Sequence, residues 1–129
     1  RAVLMGPRSF GKGSVQTILP MPVEGGLKLT TSLYYAPTGQ TIQARGVMPD
    51  IIINPDKQSN RRHEADLPSA LPAVGKDREK AKSRPQVRED ACPPIGEKKD
   101  RGLGCAMALL HAGSAKNFLT MMEHQRPRI

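Results

Sequence analysis

RAVLMGPRSFGKGSVQ, residues 1 to 16, decides how the rest of the chain is read. A short apolar run, Ala2 to Met5, stops at Gly6-Pro7, and a glycine-flanked lysine, Gly11-Lys12-Gly13, follows it. Gln16 stands four residues after that lysine. An apolar run bounded by Gly and Pro reads as a buried strand, although periodicity alone leaves a helix open. Arg8 to Ser14 reads as a glycine-rich turn. Val15 to Leu19 is β-branched and apolar, a second strand closed by Pro20 and Pro22.

Downstream of this stretch, Glu24-Gly25-Gly26 is a hairpin signal. Leu27 to Tyr35, LKLTTSLYY, alternates as a strand does, and predicts Leu27, Leu29, Thr31 and Leu33 on one face. Pro37-Thr38-Gly39 makes the next turn. Thr41 to Ala44 is expected to begin another strand, which Gly46 and Pro49 break. Asp50 to Asn54, DIIIN, is a short buried strand before Pro55. Several short strands in close succession predict a sheet whose remainder lies elsewhere.

Composition changes part-way along the 129 residues. Three of the four aromatics, Phe10, Tyr34 and Tyr35, precede residue 57, and Phe118 is the other. Residues 57–101 hold Pro68, Pro72, Pro85, Pro93 and Pro94 among dense charge, and read as a linker or disordered segment. Residues 102–129 read as a helical tail. Leu103, Ala106, Met107 and Leu110 have i, i+3, i+4, i+7 spacing, which predicts an amphipathic helix ended by Gly113. A second short helix is expected around Lys116 to Glu123. The chain begins without Met, directly in a strand-like run, which fits a true beginning farther upstream.

The net charge of +8 is spread rather than clustered. Residues 1–58 carry six basic and three acidic groups, and residues 59–129 fourteen and nine. Spread positive charge is a solvated surface, and no aromatics interleave with the basic residues to stack single-stranded bases. No specific nucleic-acid partner is expected. Cys92 and Cys105 can bridge in an oxidising compartment, but no Cys-x-x-Cys or Cys/His ligand spacing is present. With His63, His111 and His124 scattered, neither a metal site nor a cofactor is expected. No apolar run approaches the length of a membrane-spanning helix, and no signal-peptide pattern appears.

Lys12 admits three readings. As a proton acceptor it must be neutral, and burial has to lower its ordinary pKa of about 10.4. Lysine suits that role where arginine does not, and Ser–Lys pairs are a recognised form of nucleophilic catalysis. Gln16 meets Lys12 if the segment makes a helical turn, whereas four residues of strand span roughly 13 Å. As a phosphate ligand, Lys12 would close Gly6-Pro7-Arg8-Ser9-Phe10-Gly11-Lys12, a G-x-x-x-x-G-K pattern. There Gly13 stands where Ser or Thr is needed, and two prolines come early in what should be a helix. The third reading is a solvated lysine in a glycine turn.

RSFGKGSVQTILP, followed by GGLKLTTSLYYAPTGQTIQARGVMPDI, closely resembles the carboxy-terminal processing or tail-specific proteases, peptidase family S41. The resemblance runs through residues 1–54. It implies an α/β fold, a partial crotonase-like peptidase core in residues 1–56. It also implies a serine endopeptidase of the bacterial periplasm or plastid envelope that cuts proteins near their C-termini and carries a peptide-binding PDZ domain. Carried over by position, Lys12 matches the general-base lysine and Gln16 the glutamine of a Ser–Lys–Gln triad. The family's nucleophilic serine lies before the lysine in a G-S-A-S-like stretch, and this chain is expected to begin after it. Ser9 and Ser14 do not match that stretch; they read as a turn residue and a local backbone hydrogen-bonder. HEADLPSALP, residues 63–72, and DRGLGCAMALLHAG, residues 100–113, resemble segments downstream of the family's core, with Gly104 and His111 as departures. The chain is thus expected to carry the base without the nucleophile and to be inactive alone. Two alternatives stand beside this: a non-catalytic binding or scaffold remnant of the fold, and a P-loop-like nucleotide binder.

Overall fold

The computed structural model describes residues 2–55, 61–75 and 84–124. Strands and two helices are mixed, an α/β chain. It divides into two units. The first holds residues 2–8, 48–55 and 84–124 of those described, the second 9–47 and 61–75.

In the first unit, β1 (Met5–Gly6), β4 (Ile51–Asn54) and β5 (Gln86–Arg88) form a parallel sheet in the order β1-β4-β5. The apolar run Ala2 to Met5 supplies only its last residue to β1, which takes in Gly6 as well. A parallel central strand is covered on its faces, which accounts for an apolar run with no alternation. Ile51 and Ile53 of β4 are buried at 1% and 5% exposure. Asp50, just ahead of β4, accepts the Leu4 N–H at 2.9 Å. Arg84 donates to the Pro49 carbonyl at 2.8 Å and lies 3.8 Å from the Asp50 carboxylate.

Helices α1 (Arg101–Ala112) and α2 (Ala115–His124) pack on this sheet. Asp100 caps α1 by accepting the Leu103 N–H at 2.8 Å. Gly113 ends it in the left-handed region, φ 71°. Ser114 opens α2 by accepting the Asn117 N–H at 3.1 Å. The core is Ile51, Ile53, Val87, Cys92, Cys105, Ala108, Phe118 and Met122.

Helix α1 forms where its spacing predicts, but it buries a different face. Gly104, Cys105 and Ala108 point inward, while Leu103, Met107 and Leu110 are exposed at 49%, 37% and 71%. Two close contacts fix that rotation. Cys105 is bonded to Cys92, with Cα atoms 5.0 Å apart. The Gly104 position abuts Pro93, where an added Cβ would overlap the carbonyl oxygen. Gly104 is therefore a packing requirement of this helix rather than a lapse in its pattern.

Residues 57–101, read from composition as linker or disordered, hold regular structure where described. Glu64–Asp66 and Glu89–Ala91 are 3-10 turns, and β5 pairs with β4. The prolines keep each piece short. Some backbone groups are satisfied by pairing with β4 and by Arg101, which donates to the carbonyls of Asp90 and Cys92 at 3.0 and 2.7 Å. Residues 57–60 and 76–83 of that span lie outside the described residues.

In the second unit, β2 (Ser14–Pro20) and β3 (Gly26–Leu33) form the expected hairpin. Its register shifts between Val15 and Gln16, leaving Thr31 as an extra residue on β3. The shift changes the parity of the face. Leu27, Leu29 and Thr31 share the side of Thr17 and Leu19, with Thr17 and Thr31 hydroxyls 2.9 Å apart. Leu33 instead pairs with Ser14, on the side that holds Gln16.

Thr41 to Ala44 does not begin a strand. Thr41 makes an isolated bridge with Tyr35, and the chain then turns. The N–H groups of Arg45 and Gly46 both donate to the Ile42 carbonyl, and Ala44 and Gly46 take φ of 62° and 69°. Among the described residues of this unit, the buried ones are polar or glycine: Gly11, Gly13, Thr41, Gln43 and Glu64.

Candidate active site

The Gly11-Lys12-Gly13 loop lies against the turn at residues 42–46. Gly11 has φ of 96°, and a Cβ there would sit 2.9 Å from the Gly46 nitrogen. A Cβ on Gly13 would overlap the Gln43 backbone nitrogen. Both glycines are demanded by close backbone approach. The loop's polar groups are held in turn. Ala44 N–H donates to the Gly11 carbonyl at 2.9 Å, and Tyr34 N–H to the Gly13 carbonyl at 2.8 Å. Gly13 N–H donates to Gln43 Oε1 at 2.9 Å. One step back, Glu64 N–H donates to the Phe10 carbonyl at 2.9 Å, and Ser9 N–H to the Val47 carbonyl at 3.1 Å.

Lys12 is the exposed residue of this fixed loop, between two buried glycines. Its ammonium donates to Ser14 Oγ at 3.0 Å. That contact corrects the reading of Ser14, whose hydroxyl faces the lysine amine rather than the local backbone. Ser9 is a turn residue as read: its hydroxyl accepts the Val47 N–H at 2.7 Å.

Gln16 lies in β2, so the helical turn that would join it to Lys12 does not form. The strand offers another route. Ser14 and Gln16 share one face of β2, and the amine of Lys12 already reaches Ser14 on it. Gln16 is the next residue along that face. No hydrogen bond between Lys12 and Gln16 occurs among the described residues. The chain after Lys12 enters a strand and not the helix that a P-loop needs to aim at phosphate, so the P-loop reading loses its phosphate site.

Beneath the loop, Gln43 is fully buried, at 0% exposure. Its amide nitrogen donates to Glu64 Oε1 at 3.1 Å and to the Leu71 carbonyl at 3.4 Å. Glu64 is itself buried at 7%. Sequence reading missed both residues, because polar side chains in turn-like segments carry no signal of burial. No group of His, Cys, Asp and Glu that could hold a metal occurs among the described residues.

The fixed lysine loop coincides with a match to known proteins. Residues 1–53 match the profile of peptidase family S41. A carboxy-terminal-processing protease of Bartonella bacilliformis is 57% identical over 53 residues, which are 41% of this chain and 12% of that protein. A chloroplastic C-terminal processing peptidase of Tetradesmus obliquus is 36% identical over 56 residues, 43% of this chain and 12% of that protein. A carboxyl-terminal-processing protease of Picosynechococcus is 36% identical over 53 residues, 41% of this chain and 13% of that protein. The aligned part thus spans about an eighth of the length of these relatives. Lys12, Gln16 and Gln43 all lie within the family match at residues 1–53.

Proposed function

We propose that this chain supplies the lysine base of a carboxy-terminal processing serine endopeptidase. The observation that carries the reading is Lys12 itself: an exposed amine on a loop held at the carbonyls of Phe10, Gly11 and Gly13 and at the Gly13 N–H, inside the S41 match. In the complete enzyme, where the rest of the catalytic domain supplies the burial that Lys12 lacks in these residues, the neutral amine takes the proton of the nucleophilic serine as its oxygen attacks the scissile carbonyl. The amine then returns that proton to the leaving nitrogen. Gln16, farther along the face reached by Lys12, orients the amine. The nucleophile comes from sequence outside these 129 residues, so the chain alone does not cleave.

Residues 1–56 are, in this reading, the C-terminal part of a crotonase-like catalytic domain, with 57–101 as a connecting segment and 102–129 as a helical tail. Substrates are protein C-terminal regions, and a PDZ domain elsewhere in the protein presents them. The Cys92–Cys105 bond favours an oxidising compartment, such as the periplasm or cell envelope. No described helix is long and apolar enough to cross a membrane.

The test is peptide cleavage by the complete peptidase. Lys12→Ala abolishes turnover with the fold intact, and Gln16→Ala lowers it less, because an orienting group is lost and not the proton acceptor. Full activity in Lys12→Ala removes the base assignment and favours a non-catalytic binding or scaffold role for the fold. Ser14→Ala retains covalent labelling by a serine-directed acylating probe; loss of that labelling would make Ser14 the nucleophile in place of an external serine.

A further inference from the structure

We infer that Gln43 and Glu64 are positioning residues for Lys12, and that residues 61–75 act as a strap holding the lysine loop. The inference rests on Lys12 being the base, and it assigns work to a segment outside the S41 match at residues 1–53. The chain of contacts is short. The Gln43 amide oxygen accepts the Gly13 N–H, the peptide donor directly after Lys12. Its amide nitrogen donates to Glu64 and to the Leu71 carbonyl. Glu64 N–H donates to the Phe10 carbonyl, so the strap grips the loop on both sides of Lys12.

The strap is anchored independently at its other end. Val74 N–H donates to Thr41 Oγ1 at 2.9 Å, and Thr41 N–H donates to the Val74 carbonyl at 3.1 Å. Arg45 donates to the carbonyls of Val74 and Gly75, both at 2.6 Å. These bonds hold residues 41–45 and 71–75 together, and Gln43 lies between them.

Chemistry makes the amide specific. Gln43 must accept from a peptide N–H on one side and donate to a carboxylate on the other, and only an amide of this length does both. A carboxylate at position 43 would face Glu64 as a like charge. Buried with one partner removed, the remaining group is left unsatisfied, which is costly and moves the backbone it held. Here that backbone is the peptide after Lys12.

The test uses three variants and two readouts. In the 129-residue chain, Gln43→Met lowers the protection of the Gly13 amide from hydrogen exchange by roughly tenfold or more. In the complete peptidase the same variant lowers kcat by roughly tenfold or more, with KM within about twofold, because the proton acceptor is displaced and not the substrate. Gln43→Glu loses both properties. The exchange Gln43→Glu with Glu64→Gln restores them in part: donor and acceptor are swapped across the 43–64 contact, while the donor to the Leu71 carbonyl stays lost. An exchange variant no better than Gln43→Glu overturns the inference, even if Gln43→Met fails to fold. Lost Gly13 protection with unchanged kcat overturns it as well. Lys12→Ala is read in parallel: full activity there removes the base, whereas its abolition beside an unaffected Gln43→Met removes the strap alone.

Discussion

Gly13 touches Gln43 so closely that the smallest added side chain has no room. Gly13→Ala is expected to push the loop away from residues 42–46 and lower both stability and the proposed cleavage. Circular dichroism melts set beside turnover of the complete peptidase check it. The cost should exceed the ordinary glycine-to-alanine change of about 1 kcal/mol, because the overlap is with backbone. Elsewhere, the Arg88 guanidinium, hydrogen-bonded to Asp90, holds the Asp90 carboxyl below the usual carboxylate range, and the charge of Arg101 adds to this. A carboxyl whose folded pKa is depressed stabilises the fold at neutral pH, and that contribution is lost as pH falls through the depressed value. Arg88→Ala is expected to return Asp90 toward the ordinary range in an NMR titration; an unchanged Asp90 titration would contradict this.

At the scale of elements, α1 shows how far periodicity reaches. Its existence and its end follow from the spacing of its apolar residues and from Gly113, while its start is set by Asp100, whose cap is seen in the structure. Its buried face does not, because Leu103, Met107 and Leu110 make the larger apolar stripe and yet face out. The disulfide and the close approach at Gly104 settle the rotation, and both depend on residues 92 and 93. Closing a 13-residue separation stabilises the fold by about 3 kcal/mol in the chain-entropy account. Cys105→Ala, or reduction, is expected to lower the denaturation midpoint of the first unit by a corresponding amount. Mass spectrometry of the unreduced chain should find no free thiol.

Across the whole molecule, apolar material is unevenly used. The first unit buries Phe118 completely, and Phe118→Ala is expected to cost about 3–5 kcal/mol, read from a denaturant titration. In the second unit the apolar side chains of the hairpin stay uncovered: Leu19, Leu27 and Leu29 are 45%, 46% and 43% exposed on one side. Replacing Leu27 and Leu29 together by Thr is expected to raise solubility and reduce binding of an apolar dye, with little change in stability, because no core is lost. A large loss of stability in that variant would mean that the hairpin face is packed after all.

The sequence by itself determined the hairpin, the buried strand at Ile51–Asn54, both helices, the glycine-flanked lysine and the family resemblance of residues 1–53. Each of these is written in residues close together: turn residues, alternation, an apolar run, a cap, a local motif. Only the tertiary structure decided which face of α1 is buried and that Thr41–Ala44 turns instead of extending. It alone moved Leu33 across the hairpin, joined Cys92 to Cys105 and set Gln43 between Gly13 and Glu64. Those outcomes depend on groups distant in sequence meeting at contact distance. Whether a polar side chain is buried, or a strand carries an extra residue, is settled by what lies against it.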